Sequence, residues 1–113
     1  MNHEIRQTII FADWLLNLRD MRARIAIARR IDRVSTGNFG DFKSVGNGVS
    51  ELRIDIGAGY RVYFTLREVS IVILLAGGDK STQPGDIRQA HKLAKEIKHD
   101  HHAAALRHGT TAQ

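Results

Sequence analysis

The chain has 113 residues, a formal net charge of +5 at pH 7 and a hydrophobic fraction of 42%. That length fits one compact domain, and the apolar fraction is too high for a wholly disordered chain. The absence of cysteine excludes disulfides and cysteine metal sites, and no apolar run approaches the roughly 20 residues that span a bilayer. Because the first residues also lack the features of a secretory signal, we expect a cytoplasmic protein with no membrane contact.

Two helices are predicted in the N-terminal part, after a short strand or extended lead-in over residues 3–9. The first helix runs from about Phe11 to Leu18, and the second occupies "RDMRARIAIARRIDRV" up to Gly37. The apolar stripe of the second helix consists of Ile27, Ile31 and Val34, with support from Met21, Ile25 and Ala28. Its opposite, basic side carries Arg22, Arg29, Arg30 and Arg33. These two helices are expected to form a hairpin.

Three strands and a last helix follow. The segment "TGNFGDFKSVGNG" has no periodicity and is predicted to be a loop. Two alternating strands then flank the turn at 57–59, and "SIVILLAGG" is an unbroken apolar run typical of a strand buried on both faces. A helix is predicted from about Asp86 to Lys98. Residues 1–98 should form one domain, and residues 99–113 a flexible tail whose histidines bind no specific metal.

This order predicts an α+β fold, with helices together on one face of a small antiparallel sheet. The other face would be partly open and would carry Arg53, Arg61 and Tyr63, because side chains alternate between the faces of a strand. Glu51 and Asp55 share that face, so a solvated ladder of ion pairs is one explanation of these charges.

A second explanation is a site that cleaves RNA without a metal. Arg53 and Arg61 lie on strands that are expected to pair, while Lys43 and Lys80 lie in loops that could bring them to the same patch. Fixed cations stabilise the charge that builds on a phosphate when the neighbouring 2′-hydroxyl attacks it. Tyr63 could stack on a base. This chemistry needs no cofactor.

Three segments make the chain resemble the RelE/ParE superfamily of toxins, which includes the HigB-like, addiction-module killer proteins of type II toxin–antitoxin systems. They are "VGNGVSELRI", "GYRVYF" and "LLAGGDKSTQ" followed by "DI", and the resemblance covers roughly residues 8–98. It implies the RelE-like fold, with an N-terminal helical hairpin on a small curved antiparallel sheet and a C-terminal helix. It also implies a ribosome-dependent mRNA endonuclease (an mRNA interferase).

The resemblance also assigns roles to residues. Arg61 matches the arginine that holds the scissile phosphate, Lys80 lies where a second basic residue is found, and Arg53 completes the catalytic set. Lys43 and Tyr63 are expected to bind RNA. RNA-cleaving members keep a Tyr or His just after the second basic residue, where this chain reads "STQPGDI". Gln83 or Asp86 could replace it, and His91 follows on the last helix; we include Gln83 and His91 among the RNA-binding residues.

Two other functions remain open from the same resemblance. One is a ParE-like poison of DNA gyrase, and the other is a weak toxin that acts mainly as an antitoxin-binding module. In each case the expected partner is a cognate antitoxin with a helix-turn-helix DNA-binding domain. The nuclease would in addition meet the ribosome and mRNA, and it would reach DNA only through the antitoxin complex.

Overall fold

The computed structural model describes residues 2–99 and 106–108, in which one strand is followed by two helices, four strands, a third helix and a last short strand. The helices are α1 (Ile9–Leu16), α2 (Met21–Ser35) and α3 (Gln83–His99). The strands are β1 (Glu4–Thr8), β2 (Phe42–Gly46), β3 (Val49–Ile54), β4 (Tyr60–Arg67), β5 (Ile71–Asp79) and β6 (Leu106–His108). A short 3₁₀ turn, Lys80–Thr82, joins β5 to α3.

Side-chain caps fix where the first two helices begin. The buried Thr8 hydroxyl accepts a hydrogen bond from the Phe11 amide (3.0 Å) and donates one to the Leu75 carbonyl on β5 (2.7 Å). Asp20 accepts from the Ala23 amide (3.1 Å), and the Tyr60 hydroxyl donates to the same carboxylate (3.2 Å). Each cap satisfies an amide that has no partner inside its helix and also ties that helix to the sheet.

The strands form one mixed sheet in the order β2-β3-β4-β5-β1-β6. Neighbours from β2 to β5 are antiparallel, β1 runs parallel to β5, and β6 runs antiparallel to β1. The prediction of an α+β fold is confirmed, and so is a strand within residues 3–9. The structure also has a strand, β2, where the sequence predicted a loop.

Helices pack on both faces of the sheet, which corrects the prediction that they lie together on one face. The face that α3 covers is still partly open at β2, whose residues are mostly exposed. The first core joins α1 and α2 to one face; its buried residues include Phe11, Ile27, Leu52, Val62 and Leu74. The second core joins α3 to the other face; its buried residues include Val49, Tyr63, Ile73, Leu93 and Ile97. The unbroken apolar run of β5 has the physical reason that was predicted: both of its faces are buried.

Helix α2 departs from its predicted stripes in two ways. Met21, Ile25 and Ala28 are exposed and do not support the core. Arg30 is buried, with 6% exposure, and donates to the carbonyls of Phe39 (3.0 Å) and, with its two terminal nitrogens, to those of Arg53 and Asp41. Burial lowers the pKa of its guanidinium. Arg30 therefore holds the 39–41 segment against the end of β3.

The predicted flexible tail, residues 99–113, stays a prediction, because most of it lies outside the described residues. Helix α3 extends to His99, and residues 106–108 pair with β1. His101 and His102 lie outside the described residues, as do the other residues of 100–105 and 109–113. In the part of the chain that the structure describes, no helix is long and apolar enough to cross a membrane.

Candidate functional site

The registers of β2, β3, β4 and β5 place the predicted basic residues in two adjacent rows of one sheet face. In the first row Arg53 lies opposite Arg61, and Arg61 opposite Gly78. In the second row Lys43 lies opposite Glu51, and Glu51 opposite Tyr63. Residues directly opposite each other in antiparallel strands share a face. The shared face of Arg53, Arg61 and Tyr63 is therefore confirmed, and β2 adds Lys43 to it.

Glu51 lies at the centre of this arrangement and is 3% exposed. Its Oε2 is 3.4 Å from the Nε of Arg53 and 4.0 Å from the Nε of Arg61, and its Oε1 accepts a hydrogen bond from the Gln83 amide (3.2 Å). The predicted ladder of ion pairs exists, but it is buried at Glu51 and Arg61. A buried carboxylate of this kind needs its cationic partners, because an unpaired buried charge is strongly destabilising.

Arg61 is 4% exposed, whereas the side chain of Arg53 is 37% exposed. The Nη1 of Arg61 donates to its neighbour's carbonyl, Tyr60 O (2.9 Å), and lies 3.4 Å from Oδ1 of Asp55, whose side chain is 67% exposed. The Nε of Arg61 has no hydrogen-bond partner among the described residues. The guanidinium of Arg61 thus contacts buried groups on one side and an exposed carboxylate, that of Asp55, on the other.

Tyr63 lies beneath α3 and is fully buried. Its ring therefore has no free side on which a base could stack, which corrects the role predicted for it. The pKa of Tyr63 is raised to about 12, chiefly by burial; the Glu51 and Asp86 carboxylates contribute to the rise, and the Gln83 amide and Arg61 oppose it. The hydroxyl has no hydrogen-bond partner that meets normal geometry among the described residues.

Lys80 and Gln83 bring the turn after β5 to the same end of the sheet. The Lys80 amide donates to the Gly59 carbonyl (3.0 Å), and the Lys80 stem lies against Gly59, just before β4. The Lys80 side chain is exposed. Asp79 caps this turn, and the hydroxyl and amide of Ser81 lower the pKa of its carboxyl. The structure therefore places the Lys80 backbone next to the start of β4 and links Gln83 directly to Glu51.

His91 belongs to a different part of the molecule. Its Nε2 is 3.0 Å from the Val45 carbonyl, and its Nδ1 is 3.3 Å from the Asn47 amide nitrogen, so it braces the β2–β3 turn against α3. A groove at that end of the sheet is lined by His91, Lys92, Lys95 and Thr65, among others, but by none of the four predicted cations. The structure does not bring His91 together with Arg61.

Sequence reasoning named Glu51 and Asp55 only as members of a possible surface ladder. Their alternation with Arg53 gave the shared face, but alternation does not show which charges are buried. The burial comes from α3, which was predicted to lie with the other helices on the opposite face and lies on this one instead. Among the described residues, no three or more histidine, aspartate or glutamate side chains are grouped so that they could hold a metal ion.

Two comparisons with known proteins match most of this chain. Residues 13–99 match a family described as phage-derived protein Gp49-like (DUF891). An uncharacterized protein of Haemophilus influenzae is 53% identical to the chain over 97 residues, which is 86% of this chain and 98% of that protein. The family match contains the second half of α1 and all of α2, β2 to β5 and α3, and therefore every residue of the site described above.

Proposed function

Since the chain belongs to the Gp49-like family of phage-derived proteins, an addiction-module toxin-like family, we propose that it is a toxin that inhibits growth by cutting mRNA on the ribosome. The family implies an antitoxin partner. The observation that carries the finer proposal is the convergence of Arg53, Arg61 and Lys43 on one sheet face, with Lys80 at the same end. Arginine forks suit phosphate oxygens.

In the proposed reaction the ribose 2′-oxygen forms a bond to phosphorus and the 5′-oxygen leaves. The 2′-hydroxyl loses its proton to solvent, and the leaving oxygen takes one up. Arg61 and Lys80 stabilise the negative charge on the phosphate oxygens, while Arg53 and Lys43 hold the RNA backbone. Gln83 acts through Glu51, by holding the carboxylate that orients both arginines.

The position of Asp55 suggests how an RNA phosphate could reach the buried Arg61. Asp55 lies just beyond β3, is largely exposed, and approaches Nη1 of Arg61 at 3.4 Å. A phosphate oxygen could replace this carboxylate without moving the backbone of β4. Arg53, Lys43 and Lys80 are at least partly exposed and would meet the RNA first.

The test is transcript end-mapping after brief induction, with DNA breaks scored in parallel. Wild type should give new mRNA 5′ ends in frame with codons, and Arg61→Ala and Lys80→Ala should lose them. Arg88→Ala, an exposed arginine on α3, is the matched control and should cut like wild type. Because Arg61→Ala leaves Glu51 short of a partner, its folding must be checked by circular dichroism. The exposed Lys80 gives a test that does not depend on that outcome.

A second candidate function rests on the turn after β5. Residues 81–83 are Ser, Thr and Gln, so the Tyr or His common in RNA-cleaving relatives is missing next to Lys80. A ParE-like gyrase poison has no need of that residue. Broken DNA with intact transcripts in the same experiment would favour this function and reject the nuclease.

The finer classification belongs to the same proposal. We place the chain with HigB-like toxins of the RelE/ParE superfamily, acting in the cytoplasm and neutralised by a helix-turn-helix antitoxin. The supporting features are the "VSELRI", "GYRVYF" and "GGDKS" segments, which form β3, β4 and the end of β5 with its turn.

A further inference from the structure

The outer side of α2 carries an apolar line along its first half, and the exposed Asp32, four residues after Ala28, continues the same line. Met21 is 59% exposed and Ile25 is 48% exposed, and Ala28 is also exposed. Their spacing of four and three residues places them one above another on a single line of the helix. The core side of the same helix is separately filled by Ala23, Ile27, Ile31 and Val34. Helix α2 therefore has two apolar sides, and the described part of the chain buries one of them.

A row of cations runs beside this line. Arg22, Arg29 and Arg33 are exposed, and none of them has a carboxylate partner among the described residues. Arg29 and Arg33 are four residues apart, so their like charges repel each other and destabilise the helix. A helix face that keeps both an exposed apolar line and unpaired arginines has the composition of a binding surface.

We propose that this outer face of α2 docks an acidic amphipathic helix of the antitoxin. The inference rests on the proposed function in one respect, the existence of that partner. Apolar side chains of the incoming helix would cover Met21, Ile25 and Ala28, and its Glu or Asp residues would pair with Arg22, Arg29 and Arg33. An RNA duplex satisfies the arginines but presents mainly phosphates and 2′-hydroxyls to the central apolar line, and therefore fits this face less well.

This surface is separate from the RNA site. Helix α2 packs on the sheet face of the first core, whereas Arg53, Arg61 and Glu51 lie on the face of the second core. Variants of α2 can therefore be tested for partner binding without altering the proposed catalytic residues.

The experiment measures the Kd between the purified chain and the purified product of the gene adjacent to its own, at low and high salt. Ile25→Glu should raise the Kd at least about tenfold, because it places a charge in the apolar line. Arg29→Glu should weaken binding by a similar factor and flatten the salt dependence. Leu66→Glu is the matched control for Ile25, since Leu66 is also 48% exposed, and Arg88→Glu on α3 is the control for Arg29. Both controls should bind within about threefold of wild type.

Unchanged Kd values for both α2 variants would overturn the proposal, and so would the absence of any complex. Binding to purified ribosomes supplies the competing outcome. If Arg29→Glu weakens ribosome binding and leaves the antitoxin Kd unchanged, the face binds RNA and the proposal is wrong. Transcript cleavage is measured independently, so an intact nuclease without α2-dependent antitoxin binding rejects only the docking inference. An α2-dependent complex without cleavage rejects only the nuclease.

Discussion

The buried hydroxyl of Tyr63 affects the free energy of unfolding of the protein. Its hydroxyl is buried beside Glu51 and Gln83 and has no hydrogen-bond partner in the described part of the chain. Removing an unsatisfied buried hydroxyl without changing the ring should be neutral or stabilising. At neutral pH we therefore expect Tyr63→Phe to keep or slightly increase the free energy of unfolding, by up to about 1 kcal/mol.

The same residue gives a pH dependence with a definite sign. The pKa of Tyr63 is raised to about 12 in the folded protein, against about 10 in an unfolded chain. Below about pH 10 the hydroxyl is protonated in both states, so its full contribution is present there. Between about pH 10 and 12 the unfolded state loses this proton more easily, and stability falls by about 1–2 kcal/mol.

Urea unfolding of wild type and Tyr63→Phe at increasing pH isolates this effect. The other lysine, arginine and tyrosine groups are common to both proteins, including Tyr60, whose pKa is also raised by burial. The difference in unfolding free energy between the two proteins should shift in favour of Tyr63→Phe above about pH 10. A difference that stays constant up to about pH 12 would show that the hydroxyl is not buried as described.

The individual residues show where sequence reasoning succeeds and where it stops. Arg53 and Arg61 were placed on one face by alternation within each strand and by the expected pairing of the two strands. Arg30 was assigned to the solvated side of α2, although its spacing from Ile27 and Val34 places it on the buried side. The positive charge of Arg30 had favoured the solvated side. Its three backbone acceptors, Phe39, Asp41 and Arg53, lie beyond the end of α2, where no helical pattern reveals them.

At the scale of elements, two adjacent glycines let helices approach β5 from both faces. A Cβ on Gly77 would overlap the Trp14 ring of α1, and a Cβ on Gly78 would overlap the Asp86 carboxylate and approach the Thr82 hydroxyl at the start of α3. Consecutive strand residues face opposite sides, so each glycine serves one helix. The pair "GG", which lacks the spacing of a phosphate-binding loop, thus has a packing role.

Alanine at the two positions should have unequal effects. Gly77→Ala meets a rigid aromatic ring and should lower the free energy of unfolding by about 2–3 kcal/mol. Gly78→Ala meets flexible side chains that can move, and about 1 kcal/mol is expected. Chemical denaturation of both variants gives the comparison. Equal losses, or a greater loss at Gly78, would contradict the close packing of Trp14 on β5.

The spacing of apolar residues along the sequence predicted most of the helices and strands. Helices α1, α2 and α3 and strands β3, β4 and β5 follow from periodicity, with ends that differ by a few residues. Strand β2 is short and mostly exposed, so it has no alternation to detect, and pairing with β3 creates it. The pattern of α3 identified its apolar side but not the sheet face against which that side packs.

At the scale of the whole molecule, one sheet separates two hydrophobic cores and belongs to both. Strands β4 and β5 contribute Val62, Phe64 and Leu74 to the first core, and Tyr63 and Ile73 to the second. Because both cores pack on β4 and β5, disrupting these strands at one core would also expose the residues of the second core. The domain should therefore unfold as one cooperative unit, as most small single domains do.

Trp14 makes this cooperativity measurable, because it is the only tryptophan in the sequence and packs on the first core. Leu93 lies in the second core, on α3, and is 6% exposed. Leu93→Ala should lower the free energy of unfolding by about 2–4 kcal/mol. If the cores are coupled, the Trp14 fluorescence transition shifts to lower urea by the same amount as the circular dichroism transition, with an unchanged slope. A fluorescence transition that stays in place while circular dichroism shifts would mean that α3 and its core unfold separately, and that Arg61 and Glu51 can be uncovered without unfolding the rest of the protein.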